Sequence, residues 1–350
     1  MKITDTIAGK IDRRHWPALA LIAFWITALV TGLGTPNGWI TTSSGKPVDG
    51  DYVGIYTAGS LALSGEALSA YDWGISKAAQ RALIGDANSG FYPWPYPPTF
   101  LFVASALATL PYWLSMLTWT LSTLGALGAA LSRICTTRRD LLFMLATPAI
   151  WLNLYIGQNG ALSAALLGFG LVLLPVRPIV AGICIGLLSF KPHLGLLIPI
   201  ALIAGGYWRS FAAAAVTTGT IALAATAVYG TAPWIAMPAQ LASVVTIVSG
   251  TDQVHKLQSL FGFVRGLGGS ADLAMTLQLG LTAQLACATA WLWRQPNIDF
   301  DLKAAAIAAA ITLASPYLFV YDLVVLTIAQ AFLLRHLAKT GIDDLEPGEL

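Results

Sequence analysis

From Trp16 to Leu334 the chain is a succession of apolar segments joined mostly by short turns, a pattern that leaves few architectures open. The segments lie near residues 16–33, 111–132, 141–156, 160–175, 178–190, 193–207, 211–229, 271–292, 304–320 and 322–334. Inside a hydrocarbon core about 30 Å thick no water is present to satisfy backbone N–H and C=O groups, so such segments must fold as helices. Only 10% of residues are charged and 56% are apolar, far from the roughly 25% charged of soluble domains. The mean hydropathy is +0.70. The reading is an all-α polytopic membrane protein, one membrane domain over residues 1–350, with about ten transmembrane helices, several shorter than the usual ~20 residues.

The distribution of Lys and Arg orients this layout, because both collect in short cytoplasmic loops. With the N-terminus inside, that side holds Lys2, Lys10, Arg13, Arg14, Arg133, Arg138, Arg139, Arg177, Arg209, Arg294, Lys303, Arg335 and Lys339, which is 13 of the 19 basic residues. The other side holds Lys46, Lys77, Arg81, Lys191, Lys256 and Arg265, despite carrying the longest loops, 34–97 and 230–270. An even number of spans leaves both termini in the cytoplasm, with residues 336–350 as a charged cytoplasmic tail. The apolar stretch 97–111, PPTFLFVASALATLP, is read as a re-entrant or interfacial helix, since a full crossing there would put the loop RICTTRRD on the wrong side. The first apolar segment is retained: no A-x-A-like cleavage site follows it.

Several function classes drop out. A net charge of +2, with no basic run interleaved with aromatics, gives nucleic acid nothing to bind. Cys135, Cys184 and Cys287 stand apart, without the spacing of a disulfide framework or a metal site, and no metal is expected. There is no P-loop, no GxGxxG after a strand, no HExxH and no GxSxG. Group transfer remains open to a membrane enzyme whose donor is itself a lipid.

Polar residues that solvation explains poorly fall on the outer side in this topology. They are Asp51, Gln158 and Asn159 in LYIGQNGALS, Lys191 and His193 in LLSFKPHLGLL, His255 and Lys256, and Tyr317, Tyr321 and Asp322 in ASPYLFVYDLVVL. An ionisable group at membrane depth marks a site or a pathway by default, since it costs several kcal/mol unless paired or hydrated. Each also has an ordinary reading. Asp51 suits the N-cap of a helix starting at Tyr52; Lys191 suits a snorkelling lysine; Gln158 and Asn159 suit a turn; Asp322 suits an ion pair with Lys191 or Arg265. In FYPWPYPPTF, 91–100, prolines alternate with aromatics and exclude regular helix. That stretch reads equally as an interfacial aromatic belt and as a wall for a sugar or a lipid chain.

Taken in order, these elements resemble glycosyltransferase family 87. The elements are Asp51 to Ala58, Ala70 to Asp72, Tyr96 to Pro98, Leu110 to Pro111, Gly157 to Leu162, Ala181 to Pro192 and Ser315 to Leu323. The resemblance implies a GT-C-type helical bundle whose outer loops carry short interfacial helices. It also implies an active site on the extracytoplasmic face of the inner membrane and a polyprenyl-phosphate sugar, a hexose such as mannose, as donor. The acceptor it implies is a lipid or glycan; no separate cofactor is involved, and membrane lipids surround the protein. Asp51 matches the position of the general base. Lys191 and His193, then His255 and Lys256, are the candidates for the donor phosphate, and Tyr56, Tyr96, Gln158, Asn159, Tyr317, Tyr321 and Asp322 for substrate binding. Where some members carry histidine in the late S-P motif, this chain has Tyr317, Tyr321 and Asp322. The competing reading of the residues alone is a polytopic transporter or lipid flippase for envelope precursors, which also gathers polar groups near broken helices.

Overall fold

The computed structural model describes residues 15–31, 39–85, 89–250 and 253–340. Lys2, Lys10, Arg13 and Arg14, and the tail beyond residue 340, lie outside the described residues. The only regular secondary structure among the described residues is helical, with two isolated β-bridges and no strand. Helix α1 (Trp16–Thr31) is followed by α2 (Tyr52–Leu63), a 3-10 turn (Ala67–Tyr71) and α3 (Trp73–Ile84). The Asp72 carboxylate caps α3 by accepting from the Ile75 N–H at 2.9 Å, and Gly85 at φ +79° ends it.

The bundle proper begins with α4 (Leu101–Ala108), stopped before Pro111, and α5 (Tyr112–Ile134). It continues with α6 (Arg138–Leu145), α7 (Pro148–Ile156), α8 (Gly160–Leu173), α9 (Pro178–Leu187), α10 (Ile198–Ala204) and α11 (Trp208–Tyr229). After α12 (Ala232–Val248) and α13 (Leu260–Gly266), it closes with α14 (Ala271–Arg294), α15 (Phe300–Ala314) and α16 (Leu326–Thr340). At about 1.5 Å per residue α4 is only ~12 Å long.

Among the described residues four helical stretches are long and apolar enough to cross a bilayer: Tyr112–Ile134, Trp208–Tyr229, Ala271–Arg294 and Val320–Thr340. The other sequence segments form shorter apolar helices, such as Gly160–Leu173 and Pro178–Phe190, often because a proline interrupts them. Helices α11 and α14 turn large apolar side chains outward, including Val216, Leu223, Leu279 and Trp291, as a lipid-facing surface requires. Where α9 meets α11 the backbones nearly touch. A Cβ on Gly182 would lie 2.4 Å from the Ser210 carbonyl oxygen, and one on Gly186 2.7 Å from that of Ala214. The A-G-x-x-x-G pattern is thus a small-residue crossing that delivers Lys191 to the end of its helix.

The bundle is polar along its length. α5 runs from Tyr112 to Arg133, α8 from Gly160 toward Arg177, α9 from Arg177 toward Lys191, α15 from Lys303 toward Tyr317, and α16 from the Tyr321–Asp322 turn to Arg335 and Lys339. One end gathers the singled-out polar residues and the other gathers the basic ones. At the basic end the Asp301 carboxylate, buried at the start of α15, pairs with Arg335 and, at 2.6 Å, with Lys339, which ties α15 to α16. The stretch 230–270, read as a long outer loop, carries α12, a 3-10 turn (Val254–Lys256) and α13. α12 leaves from the polar-residue end, beside Tyr229, and its last turns face the same end. It lies across that end.

Candidate active site

The wall of the site is built first by sequence-local pieces. Prolines 93, 95, 97 and 98 keep residues 91–97 extended, which leaves their backbone groups without helical partners. Gln80, buried on α3, supplies the missing partners: its Nε2 donates to the Tyr92 carbonyl at 2.8 Å and its Oε1 accepts from the Tyr92 N–H at 2.9 Å. Tyr71 donates its hydroxyl hydrogen to the Tyr96 carbonyl at 2.9 Å, and Trp94 Nε1 donates to Tyr71 at 3.1 Å. Behind this segment Phe100 stacks between Trp94 (5.6 Å between centroids) and Phe190 (4.6 Å). The A-Y-D and Y-P-P elements therefore hold one another.

The G-Q-N-G turn is fixed by two glycines. Gly157 ends α7 at φ +77°, and a Cβ there would sit 2.6 Å from that of Tyr52. A Cβ on Gly160 would come within 2.1 Å of the Tyr321 carbonyl oxygen. Gln158 and Asn159 are thereby wedged between the start of α2 and the turn Val320–Val325. Asn159 is fully buried, and among the described residues neither side-chain polar atom has a partner at hydrogen-bond distance.

Asp51 stands at the N-cap of α2, but its side chain makes no cap hydrogen bond. Its Oδ2 accepts instead from Gln158 Nε2 at 2.8 Å, and Gln158 Oε1 accepts from the Tyr96 hydroxyl at 3.0 Å. Burial raises the Asp51 carboxyl above the ordinary carboxylate value; the Gln158 hydrogen bond and the Lys256 charge act in the opposite direction. Burial also raises the Tyr96 hydroxyl, so it stays protonated and able to donate. The nearby Asp49 accepts from the Gly90 N–H at 2.9 Å and so ties the turn before α2 to the start of the extended segment.

Asp51 opens onto a cavity of about 550 Å³, within the usual range of roughly 300–1,000 Å³ for small-molecule sites. Aromatic side chains dominate its lining: Trp39, Trp73, Tyr92, Trp94, Tyr96 and Tyr321. Among the described lining residues Lys256 is the only cation. The lip carrying Lys256 is sewn to the late S-P segment, with Gln258 N–H donating to the Leu318 carbonyl at 2.7 Å and the Ser259 hydroxyl to that of Pro316 at 2.6 Å. Tyr96, Phe319 and Tyr321 also border a second, more apolar cavity of about 180 Å³ under α12.

Lys191, His193 and Asp322 line this second cavity. Lys191 and Asp322 form a buried ion pair, with Lys191 Nζ 5.0 Å from the centre of the Tyr321 ring and His193 Nε2 3.9 Å from the Asp322 carboxylate. Of the two ion-pair partners open to Asp322, Lys191 is the one found. Arg265 donates instead to the Ser249 and Gly269 carbonyls, gripping the C-terminal end of α12.

The sequence candidates thus divide. Asp51, Gln158, Tyr96, Tyr321 and Lys256 border the large cavity, and Lys191, His193, Asp322 and Tyr317 the small one. Two line neither. Tyr56 donates to the Leu110 carbonyl at 3.0 Å, closing α2 onto the Leu-Pro turn, and His255 is exposed beside the lip. Residues not singled out as candidates also line the large cavity: Tyr92, Trp73, and Val244 and Ile247 of α12. The aromatic alternation of 91–100 was the signal for Tyr92; nothing in the sequence tied α12 to the site.

The family model of glycosyltransferase family 87 matches residues 94–316, well over half of the chain. The match takes in residues 94–97 of the extended wall, the G-Q-N-G turn, the Lys191 segment, α12 and the Lys256 lip; Asp51 and the Tyr321–Asp322 turn lie outside it. No curated protein and no solved structure matches the chain.

Proposed function

The chain belongs to glycosyltransferase family 87, and from that premise we propose that it transfers a hexose, with mannose the expected sugar, from a polyprenyl-phosphate donor to a lipid or glycan acceptor. Asp51 is the general base. It takes the proton of the acceptor hydroxyl as that oxygen bonds to the anomeric carbon. The bond from that carbon to the phosphate oxygen breaks, and polyprenyl phosphate leaves with the electron pair. A single displacement of this kind inverts the anomeric centre.

The observation that carries the reading is the Asp51 carboxylate, uncommitted to capping, at the edge of a cavity whose only cation among the described lining residues is Lys256. A base and a positive charge in one aromatic-walled space are what acceptor deprotonation and phosphate departure require, and aromatic faces suit a sugar ring. In this reading Lys256 faces the departing phosphate, while Lys191, already matched by Asp322, holds the wall. The cavity opens on the outer face of the inner membrane and both termini lie in the cytoplasm. The gathering of basic residues at the end of the bundle remote from the cavity supports that orientation.

The test is release of polyprenyl phosphate and formation of glycolipid from synthetic polyprenyl-phosphate mannose, with membrane lipid extract as acceptor, in wild type and Asp51→Asn. Loss of about 10²–10⁴-fold in rate in a folded variant is the expected result for a missing general base. Undiminished transfer by Asp51→Asn would exclude it as the base. A flippase would move labelled lipid between leaflets without making new glycolipid.

A further inference from the structure

We propose that Gln158, locked by Tyr96, is the positioning residue that aims the Asp51 carboxylate into the cavity, rather than a group that binds substrate. This rests on the reading of Asp51 as the base.

At an N-cap an aspartate ordinarily turns its carboxylate to the free N–H groups of the first helical turn. Asp51 does not: its backbone is itself helical (φ −59°, ψ −29°), which turns the carboxylate from those N–H groups, and Oδ2 accepts from the Gln158 amide instead. The amide has one orientation available to it. Its oxygen accepts from the Tyr96 hydroxyl at 3.0 Å and more weakly from the Asn159 N–H at 3.4 Å, so its NH₂ must face Asp51. Each support is in turn held: Gln158 by the glycine-clamped turn, and Tyr96 by its flanking prolines and by Tyr71 on its carbonyl. The sequence is one of rigid parts that ends on a single carboxylate oxygen, and it leaves Oδ1 for the acceptor hydroxyl.

The choice of an amide has a chemical reason. An arginine or lysine in that place would hold the carboxylate ionised but lower its proton affinity by about 1–3 pKa units, making it a weaker base. A neutral donor fixes the geometry at a smaller cost in basicity. The other titratable groups facing Asp51 are Lys256, Tyr92, Tyr96 and Tyr321, with Asp49 on the same cavity wall.

The experiment compares wild type, Asp51→Asn, Gln158→Met, Tyr96→Phe and the double variant Asp51→Asn/Gln158→Met, using the same mannose donor and lipid extract across pH. Tyr96→Phe removes a single hydroxyl and serves even where Gln158→Met fails to fold. The expected result is a fall in kcat with little change in donor KM for both single variants. The acid limb of kcat/KM moves to higher pH, further for Gln158→Met than for Tyr96→Phe, and the double variant is no slower than Asp51→Asn. An unmoved acid limb in the folded single variants overturns the proposal, as does a multiplicative loss in the double variant, because either assigns Gln158 to the substrate. Full transfer by Asp51→Asn overturns the base assignment itself and the positioning role with it. Loss in Asp51→Asn together with an unmoved limb overturns the positioning role alone.

Discussion

Lys191 and Asp322, 131 residues apart in the chain, form a buried ion pair that joins the end of the α9 segment to the turn leading into α16. The pair also sits beside Tyr321, whose ring borders both cavities. Its two charges balance, so its first consequence is for the integrity of the wall. Removing one partner leaves the other charge buried and unmatched, at a cost of about 3–5 kcal/mol. Lys191→Met and Asp322→Asn are each expected to lower the thermal unfolding midpoint in detergent, and Lys191→Met/Asp322→Leu to recover most of the loss. Single variants with wild-type midpoints would disprove a structural role for the pair.

The raised affinity of Asp51 for its proton gives a second prediction, about stability. A carboxyl whose folded-state value lies above its unfolded value binds its proton more tightly when folded. The fold therefore loses stability as pH rises from the unfolded value through the folded one, and lacks that contribution at neutral pH. Asp51→Asn, which stays neutral, is expected to be at least as stable as wild type at pH 7, with the gap closing on acidification. Unfolding followed from neutral to acid pH checks this without any substrate.

Lys256 is exposed and belongs to the lip of the cavity. Lys256→Gln is expected to raise the donor KM by about 10- to 100-fold, the range for a lost hydrogen bond to a charged group of about 1.5–3 kcal/mol. Because exposed charges are screened, the wild-type KM should climb with salt more steeply than that of the variant. Steady-state kinetics at two ionic strengths test this, and an unchanged KM would place the phosphate elsewhere.

Gly160 is pressed against the Tyr321 carbonyl, so even one methyl group must push the G-Q-N-G turn away from the Val320–Val325 turn. Gly160→Ala is expected to destabilise by about 1–3 kcal/mol, the usual cost of overpacking, and to lower transfer as well. Gly195→Ala, with open space around its α-carbon, is the matched control with a near wild-type midpoint. Equal midpoints in the two variants would contradict the close contact.

Much of the site was legible because its residues are anomalous in their surroundings. Asp322 interrupts an apolar run and Lys191 ends one, so their importance is visible before their pairing is. Asp51 and the G-Q-N-G turn stand out by motif. What the sequence conceals is the direction of side chains and contacts across long separations. Tyr52 and Tyr56 share a helix face one turn apart, yet Tyr52 lines the cavity and Tyr56 bonds to Leu110. No pattern pairs the Gln80 amide with the backbone of Tyr92. Helix α12 lies in the stretch 230–270 read as a loop; it carries Pro233 in its first turn, where proline is tolerated, and Pro238 in its interior.

The course of α12 has a consequence for how such a protein can diverge. The chain leaves α11 at the cavity end, passes over the site as α12 and is still at that end when it reaches Lys256. This excursion adds no net crossing, so it is silent with respect to membrane topology. Residues 232–256 can be lengthened, shortened or exchanged during evolution without inverting any helix that follows. On the proposed function, the roof over the site is thereby free to be remodelled for other acceptors while Asp51, Gln158 and Tyr96 stay in place beneath it.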